Sequence, residues 1–194
     1  MIARLQSPII FLDMDGVLAD FITAALKLHF GKAWRKVMDA WPKGVYETYK
    51  HMGLTVETFW DKINAAGTEF WANLPLFEWT EDLIEVCRSF GSICLLSAPS
   101  QHVSCVHGKL QWIQRVLGKK FRDFVLTPRQ HKQLLAAPGR YLVEDSEQNA
   151  AEFMEAGGSG TIIIPQPWNS RPETAVPVAD LVEKKLETIL WRGR

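Results

Sequence analysis

Two pairs of acidic residues directly follow apolar runs in this sequence. Asp13 and Asp15 come after one run, and Glu144 and Asp145 come after another. A carboxylate beside a buried run is costly unless it is paired or binds a cation. Carboxylate oxygens with room for water and phosphate are typical of Mg²⁺ sites. Either pair alone could simply cap a turn, but the two pairs together predict a Mg²⁺ site.

A serine and a lysine could add phosphate binding to this site. Ser97 ends a third apolar run, and the free backbone N–H groups after it, beginning at Ala98, could donate to a phosphate. Lys132 lies shortly before the run that leads to Glu144. A lone serine is more often a helix N-cap, and a lone lysine is usually a solvated charge. Both residues are therefore candidates for phosphate binding only if the fold brings them close to the acidic pairs.

Five short apolar runs alternate with helix patterns and must position these residues. The runs are typical of strands buried on both faces of a parallel sheet. They are Pro8–Leu12, Ser92–Leu96, Phe124–Thr127, Tyr141–Val143 and Thr161–Ile164. The helix patterns between and after them are Thr80–Phe90, Val103–Leu117, Ser146–Ala156 and Val178–Trp191. The alternation predicts an α/β fold with right-handed crossovers, whose ligands bind beyond the carboxyl ends of the strands.

Residues 22 to 77 interrupt this alternation with helix patterns alone. These patterns are Phe21–Phe30, Trp34–Trp41, Thr55–Ala66 and Thr68–Asn73. Four tryptophans fall in the same stretch, namely Trp34, Trp41, Trp60 and Trp71. The sequence predicts a helical insertion that stands over one edge of the sheet. The later segment Pro165–Pro172 has no regular pattern and is expected to be a surface loop.

Composition narrows the classes of function. A chain of 194 residues predicts one domain with a modest insertion. Its 22 Lys and Arg residues balance 22 Asp and Glu residues, and this lack of net positive charge disfavours binding to a nucleic-acid polymer. No apolar stretch is long enough to predict a membrane span or a signal peptide. The three cysteines form no C-x-x-C pair, so a reduced, cytoplasmic protein is expected.

The ordered motifs resemble the haloacid dehalogenase (HAD) superfamily of phosphotransferases. They are DMDGVLADF at 13–21, Ser97, Lys132 and the pair Glu144 and Asp145. A closer similarity is to the 5′(3′)-deoxyribonucleotidases, and it rests on Trp60, on Asn73–Leu76, on Cys105, Lys109 and Trp112, and on VLT at 125–127. The chain departs from that branch in having Ser-Ala at 97–98, Glu-Asp at 144–145, and a longer spacing before Lys132.

The resemblance implies both a fold and a domain division. It implies a HAD-like Rossmannoid parallel sheet, flanked by helices, with a small helical cap inserted after the first strand. The core would comprise residues 1–21 and 78–194, and a C1-type cap would comprise residues 22–77. Such a protein handles a small-molecule nucleoside monophosphate, and homodimers are known in the family.

The resemblance also implies roles for the residues singled out above. Asp13 would be the nucleophile that forms an aspartyl-phosphate, and Asp15 the general acid and then the general base. The side chains of Asp13 and Asp145 and the backbone carbonyl of Asp15 would hold Mg²⁺. Glu144 would either support these ligands from outside or reach the metal through water. Phosphate would be bound by Ser97, Ala98 and Lys132.

Aromatic residues of the insertion would then hold the leaving group. Phe21 and Trp60 fall where the deoxyribonucleotidases place base-contacting aromatics, and Trp41 and Tyr46 are looser matches. Trp34 and Trp71 are expected to pack in the core of the insertion. The expected activity is Mg²⁺-dependent hydrolysis of deoxyribonucleoside 5′- or 3′-monophosphates. Two alternatives stay open at this point: hydrolysis of a sugar phosphate or another small phosphoester, and a binding module without catalysis.

Overall fold

The apolar runs form one parallel sheet of five strands. The computed structural model describes residues 7–171 and 175–192. The strands are β1 (Ile9–Leu12), β2 (Ser92–Ser97), β3 (Phe124–Leu126), β4 (Arg140–Glu144) and β5 (Gly160–Ile163). Their order across the sheet is β3-β2-β1-β4-β5, with every pair parallel. The predicted α/β fold is confirmed, and no predicted strand end differs from these by more than one residue.

The register of the sheet places the acidic pairs side by side. Leu12 of β1 lies opposite Leu95 of β2 on one side and Val143 of β4 on the other. Asp13 and Glu144 each follow one residue later, so their side chains leave the sheet at the same edge. This is the edge where open α/β sheets bind their ligands.

The segment between β1 and β2 is helical, as the tryptophan-rich pattern predicts. It contains α1 (Phe21–Phe30), α2 (Trp34–Asp39), α3 (Thr48–His51) and α4 (Val56–Ala72), and a short 3₁₀ turn joins α1 to α2. Residues 22–77 are called the helical insertion below. The two separate helices expected at Thr55–Ala66 and Thr68–Asn73 are confirmed within α4, because the backbone between them is non-helical at Gly67, where φ is +70°. A positive φ is accessible to glycine at little cost, which explains why the helix pattern is interrupted at Gly67.

Four further helices flank the sheet. They are α5 (Thr80–Phe90), α6 (Val103–Leu117), α7 (Glu147–Glu155) and α8 (Val178–Arg192). Helix α5 packs against α8, and α7 packs against β4 and β5. Helix α7 begins at Ser146, whose side chain accepts a hydrogen bond from the backbone N–H of Asn149. None of the helices in the described ranges is long and apolar enough to cross a membrane.

The insertion shares a hydrophobic core with the sheet domain through α4 and α6. Trp71 is 1% exposed, which confirms its expected packing role. Gly108 of α6 lies against it, and a Cβ at that position would collide with the Trp71 side chain. Trp34 instead packs at the edge of this core, with the Lys27 ammonium 5.0 Å from its ring centroid. Close helix contact at Gly108 therefore anchors the insertion.

The expectation of a surface loop at Pro165–Pro172 is met only in part by the described residues 165–171, which are irregular, with Pro167, Ser170 and Arg171 exposed. Gln166, Trp168 and Asn169 are all buried, at 7%, 3% and 3% exposure. Burial is possible because their polar atoms find partners in the sheet domain, such as the backbone carbonyl of Ile164, 2.8 Å from Asn169 Nδ2. Pro172 lies outside the described residues.

Candidate active site

Lys132 bridges the first residues of both acidic pairs. Its Nζ lies 2.9 Å from Asp13 Oδ1 and 2.9 Å from Glu144 Oε2. Lys132, Asp13 and Glu144 are 2%, 5% and 0% exposed. Burial alone would lower the pKa of Lys132, but the two carboxylates outweigh it and hold that pKa above its usual value. Lys132, as predicted, therefore lies at the site, and it is positively charged beside Asp13.

Glu144 has both carboxylate oxygens engaged within the protein. Oε2 accepts from Lys132, and Oε1 accepts from Asn149 Nδ2 at 3.1 Å and from the Ser146 backbone N–H at 3.4 Å. Burial and the neighbouring Asp13 raise the pKa of Glu144 well above its usual value, against the opposing charge of Lys132. Its geometry suits an anchor for Lys132 better than a direct metal ligand.

Asp15 is held by a lysine that reaches the site from α6. Lys109 Nζ lies 2.5 Å from Asp15 Oδ2 and 3.0 Å from Ser97 Oγ, and the Lys109 side chain is fully buried. Asp15 Oδ1 is buried and has no hydrogen-bond partner among the described residues. Ser97 and Ala98 lie at the end of β2, so the structure brings the predicted serine within hydrogen-bond reach of the group that holds Asp15.

The pKa of Asp15 is raised above its usual value. Burial is the largest cause, and the nearby charge of Asp13 adds to it, while Lys109 opposes both. A raised pKa favours the protonated form that a general acid needs.

Asp145 is fixed by residues of the loop after β5. Its Oδ2 accepts from Trp168 Nε1 at 2.6 Å, and its backbone carbonyl accepts from Asn169 Nδ2 at 3.0 Å. Its Oδ1 is buried without a partner among the described residues. Burial and the neighbouring Asp13 raise the pKa of Asp145 to about 7, although the hydrogen bond from Trp168 opposes them. The carboxylate thus has one occupied and one free oxygen.

Three of these acids form a cluster that could hold a cation. Ligand atoms of Asp13, Glu144 and Asp145 all lie within 4.8 Å of one another. The free Oδ1 of Asp145 and an all-oxygen donor set fit Mg²⁺, which prefers carboxylates, carbonyls and water. The side chain of Asp15 is outside this cluster and pairs with Lys109 instead. A role for Asp15 at a metal would therefore be through its backbone.

A cavity of about 390 Å³ is lined by two of the acids, Asp15 and Asp145, whereas Asp13 and Glu144 are not among its lining residues. Gly16 and Phe21 also line it from the sheet domain, and Trp168 from the loop after β5. Its remaining walls come from the insertion, namely Ile22, Tyr46, Glu47, Thr48, Tyr49, Phe59 and Trp60. The insertion thus places an aromatic pocket over the acidic edge of the sheet.

The four aromatic residues predicted to contact substrate differ in their surroundings. Phe21 and Trp60 are stacked, with ring centroids 6.2 Å apart, and both line the cavity. Tyr46 also lines it, but Tyr46 is 48% exposed to solvent. Trp41 is not among the residues described as lining the cavity, and it packs against Trp168 with ring centroids 6.1 Å apart.

Two residues with direct contacts to the acids were not predicted to act there. Lys109 was recognised only as part of a family pattern, and helix spacing alone could not show that it reaches Asp15. Trp168 was placed in a surface loop. The signal that could have found it is its position just after β5, at the same edge of the sheet as Asp145.

Comparison with known proteins gives a family match over most of the chain. The sequence profile of the family described as "5′ nucleotidase, deoxy (Pyrimidine), cytosolic type C protein" matches residues 7–186. No individual curated protein matches the chain significantly.

Solved structures of HAD-type hydrolases share the fold. A haloacid dehalogenase-like family hydrolase of Xanthomonas campestris superposes with a TM-score of 0.53 at 13% identity, over 98% of this chain and 97% of its own. The HAD-hydrolase YfnB of Bacillus subtilis, whose structure holds magnesium, gives a TM-score of 0.55 at 14% identity, over 93% and 99% of the two chains. At these identities the likeness shows the fold alone.

Proposed function

Because the chain belongs to the cytosolic type C family of deoxy (pyrimidine) 5′-nucleotidases, a family of phosphoric monoester hydrolases, we propose that it is a Mg²⁺-dependent nucleotidase. Its substrates would be deoxyribonucleoside 5′-monophosphates, and 3′-monophosphates as well. The observation that carries this proposal is the cavity whose floor is formed by Asp15 and Asp145 and whose walls include Phe21, Trp60 and Tyr46. Acids suited to phosphoryl transfer thus face rings suited to a nucleobase.

Asp13 is proposed as the nucleophile. A carboxylate oxygen of Asp13 attacks phosphorus, an Asp–phosphate bond forms, and the bond from phosphorus to the sugar oxygen breaks. Lys132, 2.9 Å from Asp13 Oδ1, holds this carboxylate and supplies positive charge beside the reacting phosphate. Ser97 and the backbone at Ala98 would bind the phosphate oxygens from the end of β2.

Asp15 is proposed to move the protons. Its Oδ2 is held by Lys109, so Oδ1, which has no partner among the described residues, is the oxygen available to carry the proton. The raised pKa of Asp15 favours the protonated form that must donate to the leaving sugar oxygen. In the second half of the reaction, Asp15 takes a proton from the water that attacks phosphorus, which releases phosphate and the Asp13 carboxylate.

The acidic cluster is proposed as the Mg²⁺ site. Asp13 and the free Oδ1 of Asp145 would hold the ion together with the backbone carbonyl of Asp15, and Glu144 would act through water because its own oxygens are occupied. When bound, the ion neutralises phosphate charge and orients the phosphate toward the nucleophile.

Residues 22–77 are proposed as a cap domain over a core of residues 1–21 and 78–194. The support is that rings between residues 22 and 77, such as Phe59 and Trp60 on α4, line the same cavity as Asp15 and Asp145, which follow β1 and β4. The expected cytoplasmic location is likewise proposed, in keeping with the family description. The homodimer remains a prediction from family resemblance.

The proposal is tested by measuring phosphate release from a panel of substrates. The panel contains deoxyribonucleoside and ribonucleoside 5′- and 3′-monophosphates together with sugar phosphates, each assayed with Mg²⁺ and with chelator. We expect Mg²⁺-dependent release that favours the deoxyribonucleotides. Equal release from all substrates would contradict the base-binding pocket and favour a general phosphoester hydrolase. An absence of release from every substrate would favour a binding module.

A further inference from the structure

Trp168 makes a direct contact with one of the proposed metal ligands, although it lies in the loop after β5. Its indole Nε1 lies 2.6 Å from Asp145 Oδ2, and the residue is 3% exposed. An indole N–H is a donor only, so this contact orients the carboxylate without bringing a second charge into the site. The bond is short and buried, which makes it a strong constraint on the direction of the Asp145 side chain.

The same loop makes two further hydrogen bonds to the backbone around Asp145. Asn169 Nδ2 donates to the Asp145 backbone carbonyl at 3.0 Å, and Gln166 Nε2 donates to the Gly16 backbone carbonyl at 2.6 Å. Gly16 packs so closely against Asp145 that a Cβ at that position would collide with Oδ2. Asp145 Oδ2 therefore packs closely against the Gly16 backbone and accepts the indole N–H.

The two carboxylate oxygens of Asp145 therefore differ in their hydrogen bonding. Oδ2 is occupied by Trp168, while Oδ1 is buried and has no partner among the described residues. A buried carboxylate oxygen without a partner is costly unless a cation or a water completes it. The contact made by Trp168 thus leaves Oδ1 as the Asp145 oxygen that is free to bind a cation at the cluster with Asp13.

The helical insertion holds the indole from its other side. Trp41 packs edge-to-face on Trp168, at 6.1 Å between ring centroids and an interplanar angle of 61°. Trp41 is itself 8% exposed and donates from Nε1 to the Val45 carbonyl at 2.9 Å. The side chain of Trp168 therefore contacts both the insertion, through Trp41, and the sheet domain, through Asp145.

We propose that Trp168 is a positioning residue for the metal site, which holds Asp145 Oδ2 so that Oδ1 faces the bound cation. The inference rests on the proposed function, because it takes Asp145 as a Mg²⁺ ligand. Groups that orient a metal ligand through hydrogen bonds commonly change metal affinity by about 10- to 100-fold when they are removed. Trp168 does not touch the reacting phosphate in this account, so its effect should appear in metal binding.

The test is calorimetric titration of the substrate-free protein with Mg²⁺ alone, comparing wild type with Trp168→Phe. Phenylalanine keeps an aromatic ring but removes the N–H donor. We expect at least about 10-fold weaker Mg²⁺ binding in Trp168→Phe. Trp168→His, which can donate from a ring nitrogen, should recover part of the affinity. In turnover assays, the Mg²⁺ concentration for half-maximal rate should rise more than the KM for nucleotide.

Trp79→Phe is the matched control. The Trp79 indole donates to the Val17 backbone carbonyl at 2.9 Å, so the same chemical change removes an indole hydrogen bond whose acceptor is a carbonyl and not a carboxylate. Its Mg²⁺ affinity should equal that of wild type.

Each outcome decides the inference. Unchanged Mg²⁺ binding in Trp168→Phe would overturn it while leaving the proposed function intact. Absence of Mg²⁺ binding in wild type would overturn both. If Trp168→Phe does not fold, ¹⁵N-labelled indole groups of the wild type provide the test, because the Trp168 N–H signal should shift during Mg²⁺ titration and the Trp79 signal should not. Indole signals that all remain unchanged would overturn the inference.

Discussion

Lys109 and Asp15 form an ion pair of 2.5 Å between residues that are 94 positions apart in the chain. The Lys109 side chain is fully buried, and its Nζ also donates to Ser97 Oγ at 3.0 Å. The pair therefore joins the proposed general acid to the proposed phosphate-binding serine. Because a nearby cation favours the charged carboxylate, Lys109 limits how far burial can raise the pKa of Asp15.

Replacing Lys109 by methionine should raise the pKa of Asp15 further. Asp15 must be protonated to donate to the leaving group, so the basic limb of the kcat/KM profile should move to higher pH. The maximal rate should fall by about 10²-fold as Asp15 and Ser97 lose their shared partner. A pH–rate series with a deoxyribonucleotide measures both effects. Lys119→Met, at an exposed position beyond α6, is the control, and an unshifted profile in Lys109→Met would refute the assignment.

The sequence was sufficient to predict the acidic edge of the sheet. Asp13 and Glu144 directly follow buried runs, and the parallel register brings the ends of such runs together, as β1 and β4 show. The order of strands and helices likewise predicted the fold, because hydrophobic periodicity is a local property of the chain.

The contacts of Lys109 and Trp168 were not predictable in the same way. Lys109 lies on an amphipathic helix whose direction relative to Asp15 is set by tertiary packing of α6 on α4. Trp168 lies among polar residues and prolines that are typical of exposed loops, yet its own side chain is buried because the Asp145 carboxylate accepts its indole N–H. Such long-range hydrogen bonds leave no periodic signal in a single sequence.

Gly16→Ala should abolish activity while leaving the protein folded. Gly16 has φ of +82°, and a Cβ there would collide with the Asp145 carboxylate. The substitution should therefore displace a proposed metal ligand and lower Mg²⁺ affinity along with kcat. Gly53→Ala is the matched control, since Gly53 has φ of +66° but open space around its Cβ position. Similar activity losses in the two variants would show that backbone strain, and not the collision with Asp145, is responsible.

Trp60→Ala should separate nucleotide turnover from the chemistry itself. Trp60 stacks with Phe21 and lines the cavity above the acids. Loss of one stacking partner costs about 1–3 kcal/mol per base, so kcat/KM for deoxyribonucleotides should fall by about 10- to 100-fold. Hydrolysis of p-nitrophenyl phosphate should change little. Trp34→Ala, in the same insertion but outside the cavity, should leave both substrates unaffected. Equal losses on both substrates in Trp60→Ala would argue against base binding there.

The stability of the metal-free protein should decrease as pH rises toward neutrality. The pKa of Asp145 is raised to about 7 in the folded protein, from a usual value near 4. Between these values the folded protein retains a proton that the unfolded chain has lost, so the free energy of unfolding falls with increasing pH. Mg²⁺ should take the place of this proton, and its stabilising effect should therefore grow with pH.

Thermal unfolding with chelator and with Mg²⁺, at about pH 5 and at about pH 8, measures this dependence. The increase in the midpoint temperature of unfolding that Mg²⁺ causes should be larger at the higher pH. Asp145→Asn cannot titrate at this position and should weaken both the pH dependence and the response to Mg²⁺. A Mg²⁺ response in wild type that is independent of pH would contradict the assignment of Asp145.

The most direct test of the account is phosphate release from a deoxyribonucleoside 5′-monophosphate by wild type and by Asp13→Asn, each with saturating Mg²⁺. We expect rapid release by wild type and a loss of about 10³-fold or more in Asp13→Asn, because asparagine cannot form the aspartyl-phosphate. Thermal unfolding should show that the variant is folded. Release by Asp13→Asn at a rate close to that of wild type would contradict the assignment of Asp13 as the nucleophile.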